Sequence, residues 1–195
     1  PDEVRAVHGA FADAGTDILL TNTFGANRLR LRQLGLESRV EALNRTAAEL
    51  AQTAARNAGR EIVVAGSVGP TGSRVGPDME ASEVFSVFAE QMAALKAAGA
   101  DVIWIETMYA AVECRAAVSA AIDCGLPYVV TASFGRDGRL ADGVGAGALA
   151  RELMALPVPP VAIGANCGEG PDQIVEIIGE MATAAADAIL VAKAN

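Results

Sequence analysis

Apolar and polar positions alternate along this chain in a repeating order: short apolar run, turn, amphipathic segment, glycine stop. Residues 2–15 carry Val4, Val7, His8 and Phe11 at helical spacing, which predicts a helix with those four on one face, ended by Gly15. Residues 17–22 are a buried strand, 23–27 a loop, 28–35 a short basic helical piece. A long helix follows over 39–58, with Val40, Leu43, Ala47, Leu50 and Ala54 inward and Gly59 as its stop. Residues 62–66 form the next strand, followed by a glycine-rich loop over 67–78 and a helix over 80–98 closed by Gly99. The strand 102–106 ends on Glu106, the helix 110–124 closes at Gly125, and the strand 128–133 leads to a turn at 136–139 and a helix at 145–156. The apolar run 158–163 reads as a strand that turns through Gly164 to Pro171, followed by a helix over 171–185. Residues 188–192 make a last strand.

Every predicted strand has an apolar centre and reads as a buried strand of a parallel sheet. An open flavodoxin-like sheet satisfies that alternation. The strand ends argue for a barrel instead: Asn22, Gly66, Glu106, Ser133, Asn166 with Cys167, and Lys193 all lie there. Polar groups converging from many strand ends describe the catalytic face of a (β/α)8 TIM barrel, which needs eight strands and about 250 residues. The pattern here yields six strands in one domain, residues 1–195. The expectation is therefore an incomplete α/β barrel, roughly strands 2 to 7, with the first and last strands missing.

Composition narrows the partners. A net charge of −9 argues against a nucleic-acid grip, and no apolar run reaches membrane-spanning length. The odd count of three cysteines supplies no disulfide framework, which fits a cytoplasmic protein. Cys167, at a strand lip ahead of a helix, reads either as a metal-binding or nucleophilic thiol or as a small buried residue. Cys114 and Cys124, ten residues apart on one helix, read as packing residues. Glu106 either holds an ammonium group or acts as a base, or else caps a helix or pairs with a basic side chain. The loop Gly66-Ser67-Val68-Gly69-Pro70-Thr71-Gly72 lacks the Lys-Ser/Thr of a P-loop and the spacing of a dinucleotide fingerprint. His8 reads as structural. Lys193 reads as a Schiff-base lysine or as a solvated lysine where a helix begins, the second being preferred.

Four motifs occur in order: Thr21-Asn22-Thr23-Phe24-Gly25-Ala26-Asn27, Gly69-Pro70-Thr71-Gly72, Ile105-Glu106-Thr107-Met108, and Gly164-Ala165-Asn166-Cys167-Gly168-Glu169-Gly170-Pro171. Together they resemble the homocysteine S-methyltransferase family, which includes the homocysteine-binding module of cobalamin-dependent methionine synthase and betaine–homocysteine methyltransferase. The resemblance implies a zinc-bearing barrel that transfers a methyl group to homocysteine, giving methionine. It implies Cys167 as a zinc ligand, Glu106 as the partner of the homocysteine amino group, and Asn166 and Phe24 as pocket residues. The family's other two zinc ligands, an adjacent cysteine pair, have no counterpart in these residues. The expectation for the 195 residues alone is an inactive fragment. The methyl donor is a small molecule or a corrinoid (methylcobalamin), with the wording of the first motif closer to the cobalamin-dependent branch. Two other readings stay open: an aldolase-like barrel using Lys193, and a catalytically inactive binding module.

Overall fold

The computed structural model describes residues 1–73 and 79–195; the part of the predicted glycine-rich loop at 74–78 lies outside the described residues. The elements run α1 (Asp2–Asp13), β1 (Ile18–Leu20), α2 (Arg28–Arg32), a 3-10 turn Glu37–Arg39, α3 (Val40–Asn57), β2 (Val63–Val68), α4 (Ala81–Ala97), β3 (Val102–Met108), α5 (Ala111–Cys124), β4 (Tyr128–Ala132), α6 (Ala146–Met154), β5 (Ala162–Cys167), α7 (Pro171–Ala184) and β6 (Leu190–Ala194). The strands form one parallel sheet in the order β1-β2-β3-β4-β5-β6. Each crossover moves one strand in the same direction. A doubly wound sheet would reverse its order at a switch point, so the flavodoxin-like alternative is excluded.

The sheet curls into part of a TIM barrel. Ala65, Val102, Trp104, Val129 and Ala162 form one buried cluster, joined by Leu20 and Val191. These residues come from all six strands and from no helix. They can meet only if the sheet bends toward its own concave face, with Trp104 filling the base of the lumen. On the convex face Val64, Ile103, Ile105, Val130 and Ile163 are fully or almost fully buried under the helices. The curl stops short of closure: among the described residues β1 pairs only with β2, and β6 only with β5.

Strand alternation then decides which residues look into the lumen. Above the apolar floor the same face carries Ser67 on β2, Glu106 on β3, Thr131 on β4, Asn166 on β5 and Lys193 on β6. A register shift lies between Ile105 and Met108. Strict alternation from Trp104 and Glu106 would turn Met108 into the lumen. The bulge instead sends it to the helix layer, where it is wholly buried beside Cys114 and Ala132.

Several expected boundaries shift, each with a consequence. β2 and β3 each run two residues further than expected, which brings Ser67 into the sheet. β5 begins at Ala162 and continues through Gly164 to Cys167, so the turn is confined to Gly168–Gly170. β6 covers Leu190–Ala194, which places Lys193 inside a strand and corrects the expectation of a lysine where a helix begins. On α1, His8 and Ala12 are buried, whereas Val7 and Phe11 are more than half exposed. The reason is the open side of the sheet: α1 packs on α3 and the short β1, and its apolar stripe borders an uncovered groove.

Candidate active site

The lumen mouth is organised by Glu106, which is 7% exposed. Its Oε1 accepts a hydrogen bond from Ser67 Oγ at 2.6 Å, and its Oε2 pairs with Lys193 Nζ at 3.1 Å. Ser67 is itself fixed on both sides of its backbone. Its N–H donates to Thr21 Oγ1 at 3.0 Å, and its carbonyl accepts from Thr23 Oγ1 at 2.7 Å. Thr23 has thereby spent its proton, so in the 2.6 Å contact between the two threonine hydroxyls Thr21 is the donor. A directional chain thus runs from the first motif, through β2, to the carboxylate of the third.

Asn166 is 1% exposed and its amide is fully used within the protein. Oδ1 accepts from Thr107 N–H at 2.9 Å; Nδ2 donates to Thr107 Oγ1 at 2.7 Å and to Cys167 Sγ at 3.3 Å. Thr107 and Cys167 are the two non-glycine residues with positive φ among the described residues, at 62° and 61°. Such a conformation costs about 1–3 kcal/mol per residue and persists only where surrounding contacts dictate it. Asn166 supplies those contacts to both, and its Nδ2 holds the Cys167 thiol beside it at the C-terminal end of β5. Sequence reasoning singled out Asn166 and Cys167 but not Thr107, whose only signal is its place after the carboxylate.

Phe24 lies on the β1–α2 loop, partly exposed, with its ring laid over Gly69; a Cβ at 69 would stand 2.5 Å from ring atoms. Gly69 N–H also donates to the Phe24 carbonyl at 3.0 Å. Two buried residues that sequence reasoning missed hold these loops in place. Gln91 Nε2 donates to the Thr23 carbonyl at 2.8 Å, and Glu113 Oε1 accepts from both the N–H and the hydroxyl of Thr71, at 2.8 and 2.6 Å. Both sit on helices at positions that read as ordinary polar residues. Only the tertiary contact distinguishes them.

The remaining candidates separate cleanly. Cys114 is wholly buried in the helix layer, and burial, reinforced by Glu152, pushes its thiol up to about 12. Burial also raises the Cys124 thiol. Both are packing residues, as expected. His8 is buried against the groove, its Nε2 has no hydrogen-bond partner among the described residues, and burial lowers its pKa. The groove, of about 600 Å³, is lined by His8, Phe11, Ile18, Leu20 and Thr21 on one side and by Lys193 on the other. Among the described residues no three His, Cys, Asp or Glu side chains come together as a metal site.

A sequence model of the homocysteine S-methyltransferase family matches residues 1–195. The chain belongs to this family. Its fold is also that of a solved family structure: the metallated form of the homocysteine methyltransferase MmuM from Escherichia coli superposes with a TM-score of 0.88 at 24% identity, over 100% of this chain and 72% of that one. The oxidised form of the same protein gives 0.77 at 23% identity, over 100% and 80%. A dihydrodipicolinate synthase from Bacillus anthracis shares the barrel architecture at a TM-score of 0.57 and 12% identity, over 97% and 56%. The match spans all four of the sequence motifs. In the structure, three of them are joined by the hydrogen-bond chain from Thr21 to Glu106 and by the Asn166–Thr107 clamp. Among the described residues no helix is long and apolar enough to cross a membrane.

Proposed function

We propose that this domain binds homocysteine at the lumen mouth and serves the transfer of a methyl group to its sulfur, giving methionine. The observation that carries the reading, beyond membership of the family, is Glu106. It is a buried carboxylate held by Ser67 at one oxygen, and its other oxygen is turned toward a half-exposed cation. That second oxygen is the seat for the substrate ammonium. Phe24 and Gly69 form the apolar rim, and Asn166 acts on the substrate through Thr107 and Cys167. In the reaction the homocysteine sulfur loses its proton and attacks the methyl carbon in line. A sulfur–carbon bond forms as the bond from that carbon to the donor breaks, and the donor leaves with the bonding electrons. The chain's contribution is orientation, worth several kcal/mol when the reacting atoms are held in line. The donor, a small molecule or a corrinoid, would enter over the open lip.

Zinc is part of this proposal with one restriction. A zinc ion needs three or four protein ligands, and the described residues bring a single thiol, Cys167, to the lip. A zinc site is therefore not built by the described residues alone; Cys167 would be one ligand of a site completed from elsewhere. The aldolase-like alternative finds no support in the environment of Lys193. A Schiff-base lysine is activated by apolar surroundings or a neighbouring cation, whereas Lys193 is half exposed and faces a carboxylate.

The test is calorimetric titration of L-homocysteine into the folded chain and its Glu106→Gln variant. Loss of the carboxylate charge should weaken binding by about tenfold or more, the usual scale for a charge-assisted hydrogen bond. Equal affinity in the two proteins would remove Glu106 from the site and the proposal with it.

A further inference from the structure

We infer that the Glu106–Lys193 pair is a receptor for the whole α-amino-acid zwitterion, with Lys193 taking the substrate carboxylate once the substrate ammonium has displaced it from Glu106. The inference rests on the homocysteine reading above and adds to it the residue that selects an amino acid over a simple amine.

The two partners are unequal. The Glu106 side chain is 9% exposed and tied down by Ser67; the Lys193 side chain is 49% exposed and lies along the wall of the groove beside β1. A lysine ammonium on a flexible four-carbon stem swings aside at little cost, whereas the anchored carboxylate does not move. An incoming ammonium therefore replaces Nζ at Oε2. That leaves the lysine charge matched only by water, so an anion that arrives with the ammonium is drawn to it. An α-amino acid brings that anion on the carbon bearing its ammonium. Insertion of the zwitterion turns one ion pair into two and leaves no charge unmatched. A primary amine of the same length leaves Lys193 unmatched, and a carboxylic acid without an amine has nothing to offer Glu106. Gly164 makes the arrangement possible. The Val191 backbone occupies the space a side chain at 164 would fill, so β6 lies close enough to bring Lys193 over Glu106.

The experiment compares L-homocysteine with its decarboxylated analogue, 3-aminopropane-1-thiol, by calorimetry on the reduced chain, its K193M variant and its K193R variant. The wild-type chain should prefer homocysteine by about tenfold or more. K193M should lose that preference by weakening homocysteine alone, and K193R should retain it. Equal wild-type affinity for the two ligands overturns the inference without any variant, and leaves the homocysteine reading intact. Tighter homocysteine binding by K193M also overturns it, because the lysine would then be an internal competitor. Parallel weakening of both ligands in K193M would make the lysine structural and overturn it as well. Binding of neither ligand by the wild-type chain overturns this inference and the reading beneath it together.

Discussion

Replacing Gly164 with alanine tests how tightly the sheet and the site are joined. An ideal Cβ at this position falls 2.7 Å from the carbonyl carbon of Val191 and 2.9 Å from its Cα, and overlaps the carbonyl oxygen. To restore ordinary contact the β6 backbone must retreat by roughly 1 Å, which stretches its neighbouring ladder hydrogen bonds beyond bonding range. Two such bonds at about 1 kcal/mol each, with strain of similar size, give a loss of about 2–4 kcal/mol. β6 is an edge strand, so part of that strain can be relieved by peeling Leu190–Ala194 away from β5. Global unfolding in urea should therefore show the lower end of the range. Hydrogen exchange at Val191–Lys193 should accelerate by about tenfold or more, since each 1.4 kcal/mol of lost local stability is a factor of ten. Gly9 and Gly179 provide the control, because a Cβ at either meets nothing within 4 Å and both lie in helices. The same substitution there should stabilise by about 0.4–1 kcal/mol. A Gly164→Ala protein with wild-type stability and wild-type protection in β6 would refute the claim that glycine is needed for β6 to approach.

The pH dependence of stability should carry a signature of His8, the protein's one histidine. Burial lowers its folded pKa below the ordinary 6.5, so the unfolded chain binds the proton more readily. The stability His8 confers as a neutral group is complete above pH 6.5 and is lost as the pH falls through 6.5 toward the depressed folded value. Urea midpoints of the wild-type chain and a His8→Gln variant at pH 7.5 and 5.5 check this, with the variant showing the flatter dependence. Thiol accessibility gives an independent check on the site: a neutral-pH disulfide reagent should modify Cys167 in the native chain and leave Cys114 untouched until denaturant is added. The reason is that Cys114 is fully buried with its thiol pushed up to about 12. Modification of Cys114 as fast as Cys167 would contradict the packing of α5.

The alternation of apolar strands with amphipathic helices was enough to read the order of elements and the parallel sheet, because strands buried on both faces are apolar over most of their length, and the polar residues gathered at the strand ends pointed to the barrel. Position at strand ends marked Glu106 and Asn166 with Cys167, since polar residues there serve no core, whereas Phe24 was named only through the resemblance to the family. Periodicity says nothing about where a strand ends or whether it bulges. The bulge that turns Met108 outward, the left-handed backbone of Thr107 and Cys167, and the extension of β2 to bring Ser67 under Glu106 depend on neighbouring strands supplying the compensating hydrogen bonds. Gln91 and Glu113 were illegible for a similar reason: a buried polar residue on a helix looks like a solvated one until its partner loop is placed against it. The partner of Lys193 is 87 residues away in the chain, and only the inward curl of β6 over Gly164 brings the two charges together.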